Sequence, residues 1–147
     1  MARVLIVGCG CRGRELAREL VAAGHAVRGT TRDPGRAEAI GAAGAEPYVG
    51  DPDRIGTLMD ALHAVTIVCW LLGTVPDEDL HGPRLRMLFE KLVDTPVRGV
   101  IYEAALPGGE AIARDAAQRW RIPVEVVAVG DARPAVDRLL GLSNAAE

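Results

Sequence analysis

Short runs of β-branched and aliphatic residues alternate with longer segments rich in Ala, Leu, Arg and Glu along the chain, and Gly, Pro or Asp marks most of the joins. Parallel strands need a crossover of about a dozen residues or more between them, so this rhythm selects repeated strand–helix units and a parallel sheet. Strands are predicted at Val4–Val7, Ala26–Thr30, Glu46–Val49, Val65–Leu71, Val97–Tyr102 and Val124–Val129. Helices are predicted at Gly13–Ala23, Arg36–Ala43, Arg54–Leu62, Pro83–Leu92, Glu110–Trp120 and Ala132–Leu140. The expected fold is α/β, a single domain over residues 1–142 built on a doubly wound, parallel, six-stranded sheet, followed by a fraying tail from Ser143 to Glu147. A length of 147 residues suits one domain, and 49% hydrophobic residues suffice for one core. Only 3% are aromatic, so Val, Leu, Ile and Ala must fill that core.

The first strand runs into Gly8-Cys9-Gly10-Cys11-Arg12-Gly13 and then into a helix whose Leu16, Leu20 and Ala23 repeat at helical spacing. A glycine triplet between a strand and a helix is the context of a dinucleotide loop. Gly8 permits the tight turn, Gly10 leaves bare backbone for a pyrophosphate, and Gly13 lets helix and strand pack closely. The helix N-terminus adds free N–H groups and a positive dipole end. Cys11 and Arg12 complete the expected cofactor loop, with Arg12 and Arg14 as phosphate contacts or as solvated residues of the first helical turn. The end of the second strand reads Gly29-Thr30-Thr31-Arg32. An NAD site places an acid there, whereas a 2'-phosphate needs a cation and small hydroxyls. Arg32 with Thr30 or Thr31 therefore favours NADP over NAD. Asp33 supplies the competing reading, because a shift of one residue brings a carboxylate to the ribose, and Arg32 is also readable as a solvated surface arginine.

The net charge is −3, and arginines are scattered among acids without a basic block, so nucleic acid and anionic membrane are not expected partners. No apolar run approaches the roughly 20 residues that span a bilayer, and Val4–Val7 is too short for a signal-peptide core. A cytoplasmic protein is expected. The three cysteines, Cys9, Cys11 and Cys69, are too few and too odd for a disulfide framework and are expected to be reduced. His25, His63 and His81 lack metal spacing, so no metal is expected. Cys11 reads as loop filler or as a redox residue.

The order of the glycine loop, GHAVRGTTRDPGRAEAIGAAGAEPYVGDPDRIGTLMDALHAV and VTIVCWLLG resembles the short-chain dehydrogenase/reductase superfamily, in its extended or atypical NmrA-like branch. The resemblance covers Arg3 to about Tyr102 and, more faintly, Ile122 to Gly130. It implies a Rossmann NAD(P)-binding fold, in which Asp51 faces the adenine and Leu71, Leu72, Gly73 and Thr74 line the nicotinamide side. Asp51 is equally readable as a helix N-cap, and both roles are compatible. The active-site part departs from the family pattern. Family enzymes place Ser or Thr after the fifth strand and Tyr-x-x-x-Lys on the next helix, where Tyr gives up a proton and Lys assists it. Here Tyr102-Glu103-Ala104-Ala105 and Gly109-Glu110-Ala111-Ile112-Ala113-Arg114 occupy those places, and the only lysine, Lys91, lies on another helix. The C-terminal substrate region of extended members is also expected to be missing.

The sequence thus points to an NADP(H)-binding module, non-catalytic or redox-sensing. The alternative is a small NADPH-dependent reductase using water or Glu103, which sits at the carboxyl end of the fifth strand and reads otherwise as a surface or helix-capping residue. A regulatory nucleotide-binding domain of the potassium-uptake type is the outsider, since such domains usually carry an acid where Arg32 stands. Asp77, Glu78, Asp79 and His81 read as solvating a loop. Leu85, Leu88, Phe89 and Leu92 form an apolar stripe that reads either as packing on its own sheet alone or as also reaching a second copy, and a homodimer is expected on the second reading.

Overall fold

Every residue from Val4 to Val7 is fully buried, and alternate side chains enter opposite cores, Val4 and Ile6 on one side, Leu5 and Val7 on the other. A strand covered on both faces has no polar side to show, which is why its sequence is a continuous apolar run. The structure is a computed structural model that describes residues 2–105 and 108–145, with side chains to residue 141. Its elements are β1 (Arg3–Val7), α1 (Cys11–Ala22), β2 (Ala26–Thr31), α2 (Ala37–Ala42), β3 (Glu46–Val49), β4 (Ile67–Trp70), α3 (Pro83–Leu92), β5 (Gly99–Glu103), α4 (Gly109–Trp120), β6 (Val124–Val127) and α5 (Ala132–Ala145). The six strands form one parallel sheet in the order β3-β2-β1-β4-β5-β6. Leu16 and Leu20 of α1, Ile40 of α2, and Val136 and Leu139 of α5 cover one face; α3 and α4 cover the other. The chain winds outward from β1 to β3 and then restarts at β4 on the other side of β1. The crevice between the carboxyl ends of β1 and β4 is therefore the switch point at which open α/β sheets bind ligands.

The structure bears on three expectations. The α3 stripe is consumed within one chain: Leu85, Leu88, Phe89 and Leu92 are at most 1% exposed, each contributing about 1.5–3 kcal/mol by its burial. That removes the ground on which a homodimer was expected. The segment Arg54–Leu62 is not an α-helix but two 3₁₀ turns, Ile55–Leu58 and Asp60–Leu62. The Thr57 hydroxyl donates to the Arg54 carbonyl at 2.7 Å, an acceptor that a helix would give to Leu58, and the Thr57 N–H donates to the same carbonyl at 2.8 Å in the tighter 3₁₀ pattern. Finally, α5 continues through Ala145, so the expected tail begins inside a helix, while its last residues, Ala146 and Glu147, lie outside the described residues. No described helix is long and apolar enough to cross a membrane.

Candidate dinucleotide cleft

A cleft of about 250 Å³ opens at the switch point, floored by the glycine loop. Each glycine has its own reason to be there. Gly8 has φ +84°, and a Cβ on it would lie 2.7 Å from a Leu72 methyl and 2.9 Å from the Leu71 carbonyl oxygen, so only glycine makes this turn. At Gly13 a Cβ would meet Ile6 at 3.2 Å and the Gly8 carbonyl oxygen at 3.3 Å, which is how α1 comes close to β1. Gly10 is different: it lines the cleft, and nothing lies within 4 Å of where its Cβ would be. Helix α1 starts at Cys11, two residues before the predicted Gly13; Gly10 is its N-cap, no described side chain caps it, and its first turn holds no acid. An uncapped helix N-terminus opening onto free space above bare backbone is suited to a pyrophosphate.

The end of β2 forms one end of the cleft. Thr30 is 1% exposed and supports the loop from below: its hydroxyl accepts the Gly8 N–H at 3.2 Å and its carbonyl accepts the Cys9 N–H at 3.0 Å. The Thr31 hydroxyl accepts the Asp33 N–H at 3.1 Å, shaping the next turn. Asp33 turns its carboxylate onto the Gly35 N–H at 2.9 Å and faces Arg36 at 3.8 Å, committing it to the 3₁₀ turn Pro34–Arg36. Arg32 lines the cleft. Arg36 lines it too, a residue that sequence reasoning missed; the Asp33-Pro34-Gly35 turn, which wraps the chain back toward Arg32, was its signal. Asp51 caps a turn: its carboxylate accepts the Asp53 N–H at 2.9 Å and its carbonyl accepts the Arg54 N–H at 2.9 Å, while the neighbouring Pro52 lines the cleft.

Leu71 and Leu72 line the opposite end, joined by Thr74 and by Val75, which the sequence reading left out. Gly73 directs its N–H into the protein, where Glu103 accepts it at 2.8 Å. Glu103 is neither a surface residue nor a helix cap. It is 1% exposed, also accepts the Gly130 N–H at 3.4 Å, and forms an ion pair with Arg12. The carboxylate thus ties the segments that follow β4 and β6 to β5, and holds the Arg12 guanidinium at the cleft wall. Cys11 is exposed and Cys9 buried. Burial pushes the Cys9 thiol up to about 11, with the Arg14 charge pulling the other way. Burial, and then the Glu103 charge, push the Cys69 thiol up as well.

Tyr102, the hydroxyl nearest the expected acid position, points into the α3–α4 core. Its hydroxyl is 2.6 Å from His81 Nδ1. Burial pushes the phenol up to about 12 against the lowering effect of the Ala105 N–H. His81 does not solvate its loop as expected; it is 2% exposed, and its Nε2 lies 3.0 and 2.9 Å from the carbonyls of Leu72 and Val75.

Comparison with solved structures places this architecture in known company. The chain is similar to the Citrobacter sp. triphenylmethane reductase complexed with NADP(H), at 17% identity and a TM-score of 0.67, covering 86% of this chain and 48% of that one. It is similar to the Escherichia coli NADPH-dependent quinone oxidoreductase complexed with NADPH, at 16% identity and a TM-score of 0.65, covering 85% and 48%. A putative NAD-dependent epimerase/dehydratase from Bacillus halodurans matches at 18% identity and a TM-score of 0.74, covering 87% and 70%. The chain spans about half the length of the two reductases. No protein of curated function matches the sequence. The likeness to these structures is one of fold, a Rossmann-type sheet with flanking helices. The family model described as NAD(P)H-binding matches residues 8–131, from the first glycine of the loop to the start of α5, and the chain therefore belongs to the NAD(P)H-binding family.

Proposed function

We propose that this chain binds NADP(H) across the β1–β4 crevice and, on its own residues, holds the cofactor without supplying a proton donor. The observation that carries the reading is the fate of the two acidic groups at the end of β5. Tyr102 is turned into the core against His81, and Glu103 is occupied by Arg12 and two backbone N–H groups. A ketone reductase needs an acid within hydrogen-bond reach of the developing alkoxide, and among the described residues neither group offers one. The 2'-phosphate preference is supported by Arg32 and Arg36 at the end of β2 and by the withdrawal of Asp33 into its own turn. The same withdrawal speaks against a regulatory domain of the potassium-uptake type, whose acid would stand there.

One catalytic reading is compatible with this geometry: hydride transfer to an acceptor that needs no protein acid. A carbocationic dye accepts hydride without a proton, and a quinone takes its proton from water. Two of the similar structures are a triphenylmethane reductase and a quinone oxidoreductase. Titration of the protein with NADPH, followed by NADPH-consumption assays with a simple ketone, a quinone and a triphenylmethane dye, tests both readings. Binding without ketone turnover is expected. Ketone reduction at a rate comparable to dye or quinone reduction would overturn the proposal.

A further inference from the structure

Resting on the placement of the dinucleotide in this cleft, we infer that His81 is a positioning residue for the nicotinamide half of the cofactor. The wall beyond the glycine loop is built by Leu72, Thr74 and Val75. These residues belong to the connection between β4 and α3, which has no strand or helix to hold it. Glu103 holds the Gly73 N–H of this connection, and one imidazole holds the carbonyls on either side of it. Nε2 of His81 faces two carbonyl oxygens, of Leu72 and Val75, at 3.0 and 2.9 Å. Two acceptors oblige that nitrogen to carry the hydrogen. Nδ1 then receives the Tyr102 O–H at 2.6 Å. The proton positions follow from the partners alone.

The ring is itself fixed to the sheet. Tyr102 is a fully buried residue of β5, and the β4 residue Trp70 donates its indole N–H to the Leu80 carbonyl, next to His81, at 3.0 Å. Position set by β4 and β5 is thereby passed through His81 to the cleft wall. A dinucleotide with its pyrophosphate at the α1 N-terminus and its 2'-phosphate at the end of β2 extends its other half toward the carboxyl ends of β4 and β5. That half meets the wall that His81 holds. Without the ring, the wall populates its binding arrangement only part of the time, and affinity falls by that fraction.

The test compares NADPH with adenosine 2',5'-bisphosphate, which carries the adenine, ribose and 2'-phosphate but no nicotinamide. His81→Ala is expected to weaken NADPH about tenfold while leaving the bisphosphate within about twofold, if the wall is competent a tenth of the time. His81→Gln, whose amide N–H can reach a carbonyl, is expected to recover part of the loss. Tyr102→Phe is expected to shift the ratio of the two affinities in the same direction by a smaller factor, and it carries the test if His81→Ala does not fold. Equal losses for both ligands, or an unchanged ratio in all folded variants, overturn the assignment. Wild-type protein that binds neither ligand overturns the placement of the cofactor in this cleft, and this inference with it.

Discussion

Replacing Glu103 with glutamine separates a brace from a proton donor. The amide keeps the shape of the side chain, and its oxygen still accepts the Gly73 N–H, now made at 2.8 Å. What is lost is the charge facing Arg12, and an amide N–H₂ is brought toward the Gly130 N–H, donor against donor. A hydrogen bond to a charged group contributes about 1.5–3 kcal/mol, whereas a fully exposed ion pair contributes under about 1 kcal/mol. The Arg12 side chain is 33% exposed and its partner only 1%, so the loss sits between these limits, at about 2 kcal/mol. For a chain of this size that lowers Tm by about 4–8 °C. Thermal unfolding followed by circular dichroism measures the shift, and a double-mutant cycle with Arg12→Ala should return a coupling of about 1–2 kcal/mol. NADPH affinity should hold or rise, because the released guanidinium is free for phosphate. An unchanged Tm together with a fall in NADPH consumption would refute the reasoning and make Glu103 a proton donor.

Gly10→Val is expected to melt within about 3 °C of wild type, because its side chain enters open space, and to lose NADPH binding; unchanged affinity by titration would put the pyrophosphate elsewhere. Arg32→Ala should weaken NADPH about tenfold or more while leaving NADH nearly unaffected, by calorimetry with both dinucleotides; equal losses would make Arg32 a structural residue. A thiol reagent should label Cys11 alone in the native protein and all three cysteines after unfolding; fast labelling of Cys9 or Cys69 would contradict their burial. The folded protein holds the Cys9 and Tyr102 protons up to about 11 and about 12, against ordinary values of 9.0 and 10.0, so the unfolded chain releases them first. Stability should therefore be intact below about pH 9 and fall as pH rises through the alkaline range, with urea midpoints against pH as the measurement; Cys9→Ala should flatten the onset.

The parts of this molecule that periodicity and short motifs control were legible before any coordinates. Six strands and five of the six predicted helices follow from local sequence, because each depends on neighbours along the chain, and the loop motif marks Gly8 and Gly13 even though Leu71 and Leu72, which crowd Gly8, come from a distant segment. The sixth helix failed at Arg54–Leu62, where the Thr57 hydroxyl bonds the Asp51 and Arg54 carbonyls and the chain tightens into 3₁₀ turns that periodicity does not encode. The functional side chains divide in the same way. That Arg32 lines the cleft follows from its place after a strand, but where the Asp33 carboxylate turns depended on a turn hydrogen bond that no periodicity encodes. Glu103 was found and given the wrong surroundings, since its partners, Arg12, Gly73 and Gly130, come from three separate segments. His81 was misread for the same reason: Tyr102, which buries it, lies on another strand.

The central place of β1 has a consequence for how the molecule is made. Its partner on one side, β2, begins at Ala26 and emerges soon after it, but the partner on the other side begins only at Ile67. Until β4 exists, a nascent sheet of β3, β2 and β1 carries Val4 to Val7 as an open edge, with a row of unpaired N–H and C=O groups on an apolar strand. Such an edge is a template for any other extended chain. Because all the pairings are parallel, closing it requires a long crossover whose entropic cost is met before the new contacts form. The strand from which the glycine loop grows is thus the one most open to mispairing during synthesis. Damage to β4 should appear first as aggregated protein and lost yield, before any change in what the folded molecules bind.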